Sequence, residues 1–112
     1  RMLLTGSAVQ LHAGETEVLA PARHLGPRTL RPVGSLAGVT YLHILFDGHE
    51  IVRADGCWTE SFQPGRRVTD ALDAAVREEL LLIFPELEAA DGPVFAAARP
   101  TLKAWETRVV AL

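Results

Sequence analysis

Residues 41 to 62, YLHILFDGHEIVRADGCWTESF, gather most of the side chains in this chain that could move a proton or attack a carbonyl: His43, His49, Glu50, Cys57, Glu60 and Ser61. A carboxylate that orients an imidazole beside a hydroxyl has the ingredients of a serine nucleophile system, which Glu50, His43 and Ser61 could supply. The competing reading is a cross-strand polar cluster, because a catalytic serine sits on a strained turn beside an oxyanion hole and Ser61 is placed mid-strand. His49 and Glu60, like His43 and Glu50, could each contribute a nitrogen and an oxygen to a zinc-like site, but opposite faces of one sheet cannot converge on one ion, so no metal is expected. Cys57 begins a strand beside Trp58 with no adjacent base, and reads as a half-buried apolar residue rather than a nucleophile. His12 and His24 fall in turn regions and are expected in water, as are the two arginines of Gly65-Arg66-Arg67. No glycine-rich phosphate cradle is present, and no cofactor is expected.

The elements that must position these groups follow from turn chemistry and periodicity. Asp-Gly favours a two-residue hairpin, and Asp47-Gly48 and Asp55-Gly56 separate three segments of six residues each. The pattern predicts a three-strand meander with Phe46 opposite His49 and Ala54 opposite Cys57. It puts Leu42, Ile44, Phe46, His49, Ile51, Arg53, Trp58, Glu60 and Phe62 on the core face, and His43, Glu50, Cys57 and Ser61 on the other. Before it, Met2 to Leu4, Ala8 to His12 and Val18-Leu19 read as short β segments. Pro21 to Leu25 reads as one helical turn, and Gly26 to Gly38 as a loop with a short strand around Thr29 to Arg31. After Pro64-Gly65 the period changes from 2 to 3.6. A helix capped by Thr69 or Asp70 is predicted with Leu72, Val76, Leu80 and Ile83 on one face, stopping at Phe84-Pro85. A second starts near Pro100-Thr101 with Leu102, Trp105, Val109 and Leu112 inward, and both helices should cap one side of the sheet.

At 112 residues and a net charge of -3 the chain is about one domain long, and 48% of its residues are hydrophobic, within the globular range. Acids and bases are interleaved, so neither nucleic acid nor a membrane surface is an expected partner. The single cysteine excludes an intramolecular disulfide. The sequence leaves the compartment open.

The segment HILFDGHEIVRADGCWTESF, together with RMLL at the start, VLAPARHL at 18 to 25 and LKAWETR near the end, resembles the closing part of the Hedgehog/intein (Hint) domain, in particular a bacterial branch of it. The resemblance implies a mostly β fold with C-terminal helices: residues 1–66 as the C-terminal half of a Hint-like β domain, and 67–112 as a helical extension packed on it. Hint domains cleave the peptide bond at their own N-terminus by an acyl shift to a Cys or Ser, assisted by a histidine in a Thr/Ser-x-x-His motif. In this branch that histidine directly precedes the segment corresponding to RMLL. The resemblance therefore implies a fragment of a self-processing domain, inactive alone, whose partner is the N-terminal half of the domain; exposed strand edges would favour homo-oligomers. Inteins end their last strand with His-Asn, where this sequence has Glu60-Ser61 and so no amide for succinimide formation. His49 falls where inteins carry a helper histidine, the one catalytic position the resemblance carries over; the competing role is packing beside Phe62. The rival reading is a non-catalytic binding or secretion-associated module on the same scaffold.

Overall fold

The computed structural model describes residues 1–28, 30, 31, 34, 38–40, 42–65, 70–89 and 95–111. Among these, four strands form one antiparallel sheet: β1 (Met2–Thr5), β2 (Glu17–Ala20), β3 (Ile51–Ala54) and β4 (Cys57–Glu60), in the order β2-β1-β4-β3. Three α-helices accompany it, α1 (Ser7–Ala13), α2 (Ala74–Ile83) and α3 (Ala104–Val110), with short 3₁₀ segments at Ala22–His24 and Pro85–Ala89. With strands of four residues and helices of seven to ten, the described chain is a mixed α/β structure, not a mostly β one. None of its described helices is long and apolar enough to cross a membrane.

The second Asp-Gly pair behaves as its chemistry dictates. Asp55 (φ 49°) and Gly56 (φ 77°) both adopt the left-handed conformation of a type I′ turn, and β3 pairs with β4 as Ala54 to Cys57, Arg53 to Trp58, Val52 to Thr59 and Ile51 to Glu60. The same register continues into Glu50 and Ser61, whose backbones bond N–H to C=O at 2.8 Å. The first pair departs from the expected meander. Asp47 and Gly48 are not among the residues with positive φ, so the I′ turn is not made, and residues 42–46 are not a strand. The Ile44 carbonyl instead accepts the Phe62 N–H at 2.8 Å, which draws this segment toward the end of β4 rather than along β3. Leu42, Ile44 and Phe46 are consequently exposed, and so are Arg53 and Trp58 at the hairpin tip, where the guanidinium lies 5.6 Å from the indole centroid. The greasy face is buried only at its His49 end.

Residues 8–12, expected as a strand, lie in α1. Val9 is buried and Leu11 is 78% exposed, so the Val-Gln-Leu-His alternation is not read by the fold; what is read is the i, i+4 pair Val9 and Ala13. Gly6 (φ 106°) opens the helix and Gly14 (φ 70°) closes it in the αL conformation. Val9, Val18 and Leu102 form the buried core, with Leu4, Ala13 and Val110 against it, so α1 and α3 are the helices that pack together at the β1–β2 end. α3 is rotated from the expected orientation: Thr107 is fully buried while Trp105 is 62% exposed, because the Thr107 hydroxyl satisfies itself on the Lys103 carbonyl at 2.9 Å and can go inside. α2 starts after Asp73, later than expected, buries no residue and packs on the 3₁₀ turn that follows it. Leu72 just before it and its Val76, Leu80 and Ile83 face His43, Leu45 and Phe62 across a shallow groove instead of capping the sheet. The turn at Ala22–His24 is as expected, whereas Leu30 and Arg31 are not in a strand. Thr29, Thr69, Arg66, Arg67 and Leu112 lie outside the described residues.

Candidate functional site

β1 and β4 meet at one residue pair, Met2 opposite Thr59, and the Thr59 hydroxyl donates to the Arg1 carbonyl at 2.6 Å. This join sets Arg1 beside the end of the β3–β4 hairpin. There the Arg1 Nε donates to Glu60 Oε1 at 2.7 Å, Nη2 to the Gln63 side-chain oxygen at 2.9 Å and Nη1 to the Thr101 hydroxyl at 2.8 Å. The other carboxylate oxygen of Glu60 meets His49 Nε2 at 2.7 Å. The second ring nitrogen, Nδ1, accepts the Ala98 backbone N–H at 2.9 Å.

The partners settle the proton positions on the imidazole. A nitrogen that accepts an N–H carries no proton, so Nδ1 is bare and Nε2–H donates to Glu60. The His49 side chain is fully inaccessible and Glu60 is 13% exposed, so the carboxylate sits between a buried donor and a guanidinium. Burial works to raise the Glu60 pKa, but the hydrogen bond and charge of Arg1 outweigh it and hold the carboxyl below its ordinary value. The cluster is an anion clamped between two donors at the wall of a cleft of about 440 Å³, which Arg1, Glu60, Ser61 and Gln63 line on the polar side and Leu42 and Ile44 on the apolar side.

His49 and Glu60, expected as diagonal neighbours on one face, are in contact. The other expected groupings are not brought together as chemistry. Ser61 is buried, and its hydroxyl accepts the Glu50 N–H at 2.9 Å, locking the two strands. His43, not His49, meets Phe62, with ring centroids 4.7 Å apart. Cys57 is exposed at the far tip of the hairpin rather than half-buried. His12 is exposed, while His24 is half-buried and accepts from Arg23 Nε at 3.2 Å; desolvation, then the charges of Arg23 and Arg108, lower its pKa. Among the described residues no three His, Cys, Asp or Glu side chains are grouped as metal ligands.

Arg1, Gln63, Ala98 and Thr101 escape sequence reasoning. They join the site across 49 to 100 residues of chain, and no local pattern marks them. Residues 1–66 match the Hint domain family. The chain belongs to that family. No curated protein and no solved structure shows a significant match to it. The Hint-domain match holds Arg1, His49, Glu60 and Gln63, whereas Ala98 and Thr101 lie beyond its last residue.

Proposed function

We propose that this Hint-family chain is part of a self-processing domain, to which residues 1–66 contribute the C-terminal half and 67–112 a helical extension. The observation that carries the reading is the hydrogen-bonded run from buried His49 through Glu60 to partly exposed Arg1. It ends on the residue that the motif histidine directly precedes in the branch this sequence resembles. In the reaction so inferred, the thiol or hydroxyl of the N-terminal Cys or Ser attacks the preceding carbonyl, the peptide C–N bond breaks, and the released amine takes a proton as the ester forms. Water or another nucleophile then takes the acyl group. The nucleophile comes from the N-terminal half, the partner this reading requires. The serine and cysteine of the hairpin are not placed as substitutes, since Ser61 accepts the Glu50 backbone N–H and Cys57 stands at the hairpin tip. His49 contributes as a helper that acts through Glu60, keeping the carboxylate charged and aimed toward the start of β1. Glu60-Ser61 offers no amide for intein-type release, so cleavage rather than splicing is proposed.

The test is a parent carrying both halves fused to a reporter. His49→Ala should slow cleavage by roughly 10- to 100-fold, the scale of losing a partner that orients a functional group, measured on the folded fraction. The isolated chain should not cleave. Cleavage by the isolated chain, or an unchanged rate in His49→Ala, would overturn the proposal. One observation favours the rival scaffold reading: both ring nitrogens of His49 are already engaged within the fold. A parent without an upstream Cys or Ser and Thr/Ser-x-x-His would support that rival. Self-association is proposed through β3, which has no strand on its outer side among the described residues; a monomer at high concentration in sedimentation would refute it.

A further inference from the structure

The segment from Phe95 to Leu102 is tied to the Hint-matched region at six points. The Phe95 carbonyl accepts from the Gln63 side chain at 3.1 Å, Ala98 N–H donates to His49 Nδ1, and Arg99 Nε pairs with Glu17 at 2.5 Å. The Pro100 carbonyl accepts the Leu19 N–H and Leu102 N–H donates to the Leu19 carbonyl, both at 2.8 Å, which adds this segment to the outer edge of β2 as a parallel bridge. Thr101 receives Arg1, and Leu102 is buried in the core between α1 and β2. Such anchoring on both sides of Ala98 fixes its N–H in space, and that N–H at Nδ1 works with the Glu60 carboxylate at Nε2 to place the proton of a neutral imidazole.

We propose that residues 95–102 are a positioning strap of the site, in which the Ala98 N–H holds His49 as the Nε2–H tautomer and so aims its one proton at Glu60. The side chain at position 98 plays no part. What matters is a backbone donor at Nδ1, because an imidazole whose Nδ1 carried the proton would face the Ala98 N–H donor to donor, and would turn a bare Nε2 toward an ionised carboxylate. Ala98, Arg99 and their neighbours are therefore positioning residues supplied from outside the family match. The consequence for cleavage rests on the self-processing reading; the tautomer does not.

Long-range proton–nitrogen correlation on the ¹⁵N-labelled chain at about pH 8, above the ordinary imidazole range, reads the tautomer directly. We expect His49 Nδ1 to resonate as an unprotonated nitrogen and Nε2 as a protonated one. In Glu60→Gln, whose side-chain amide can accept from or donate to Nε2, the Ala98 N–H alone should still hold the Nε2–H form. Adding Ala98→Pro to that variant removes the N–H and should move both signals toward averaged values as the Nδ1–H form becomes populated, with the β3–β4 amide signals in place. A wild-type His49 that is Nδ1-protonated or averaged overturns the strap, as does a Glu60→Gln/Ala98→Pro spectrum with the ring nitrogens of Glu60→Gln. Should that double variant not fold, Arg99→Ala in the Glu60→Gln protein, which frees the Glu17 anchor and keeps the N–H, decides: partial averaging supports the strap and unchanged nitrogens overturn it. Because no cleavage is read, failure of the strap and failure of the self-processing reading are separate results.

Discussion

Replacing Glu60 by leucine leaves two donors facing an apolar side chain, and their fates differ. The His49 ring is fully buried, so its Nε2–H cannot find water, and an orphaned buried donor costs about 1–3 kcal/mol. Arg1 is 27% exposed and keeps Gln63 and Thr101, so the loss of its pairing costs only about 0.5–1 kcal/mol, the scale of an exposed ion pair. The sum, about 1.5–4 kcal/mol, should lower Tm by roughly 10 °C in a chain of this length. Glu60→Gln keeps one acceptor oxygen and should lose about half as much, as a single unmet hydrogen bond would. Urea unfolding of the three proteins measures this, with pH as the second axis. Since the folded pKa of Glu60 lies below its ordinary 4.5, the ionised carboxylate stabilises the fold fully above that value, and the contribution fades as pH falls through the folded pKa. The gap between wild type and Glu60→Leu should thus be widest at neutral pH and close in acid. A loss below about 0.5 kcal/mol at neutral pH, or a gap that widens in acid, would show that the clamp is only a surface ion pair.

Gly56→Ala should cost about 1–2 kcal/mol in equilibrium unfolding, because φ is 77° there and the added Cβ meets no other atom, so backbone strain is the whole effect. Cys57→Ser should stay within about 0.5 kcal/mol of wild type and leave any parent cleavage rate unchanged, the thiol being exposed at the hairpin tip. Leu102→Ala should cost about 2–5 kcal/mol by denaturation, since Leu102 is part of the buried core with Val9 and Val18.

What could be read in advance was local. Asp55-Gly56 fixes its hairpin because positive φ at two consecutive residues is a property of that dipeptide, and the His49–Glu60 contact follows from counting outward from it. Asp47-Gly48 has the same letters and a different outcome: a bond from Phe62 to Ile44 competes with the turn, and nothing within residues 41–48 announces it. In α1 the alternation of four residues mimicked a strand until burial singled out Val9 and Ala13. In α3 the spacing of Leu102, Trp105 and Val109 points Trp105 inward, but a threonine that bonds its own helix carbonyl is the cheaper residue to bury. The rest of the site, Arg1, Gln63, Ala98 and Thr101, arrives through contacts that only the finished fold creates.

Those spans also order events in time. β1, α1 and β2 lie within the first 20 residues and can close early, as can the hairpin around Asp55-Gly56. The contacts of Arg1 with Glu60 and Thr101, and of His49 with Ala98, close loops of 59, 100 and 49 residues, and they form after the local pieces have met the entropic cost of folding. A cluster built this way reports that residues 95–102 have docked. Under the self-processing proposal, it would withhold a committed cut until they have.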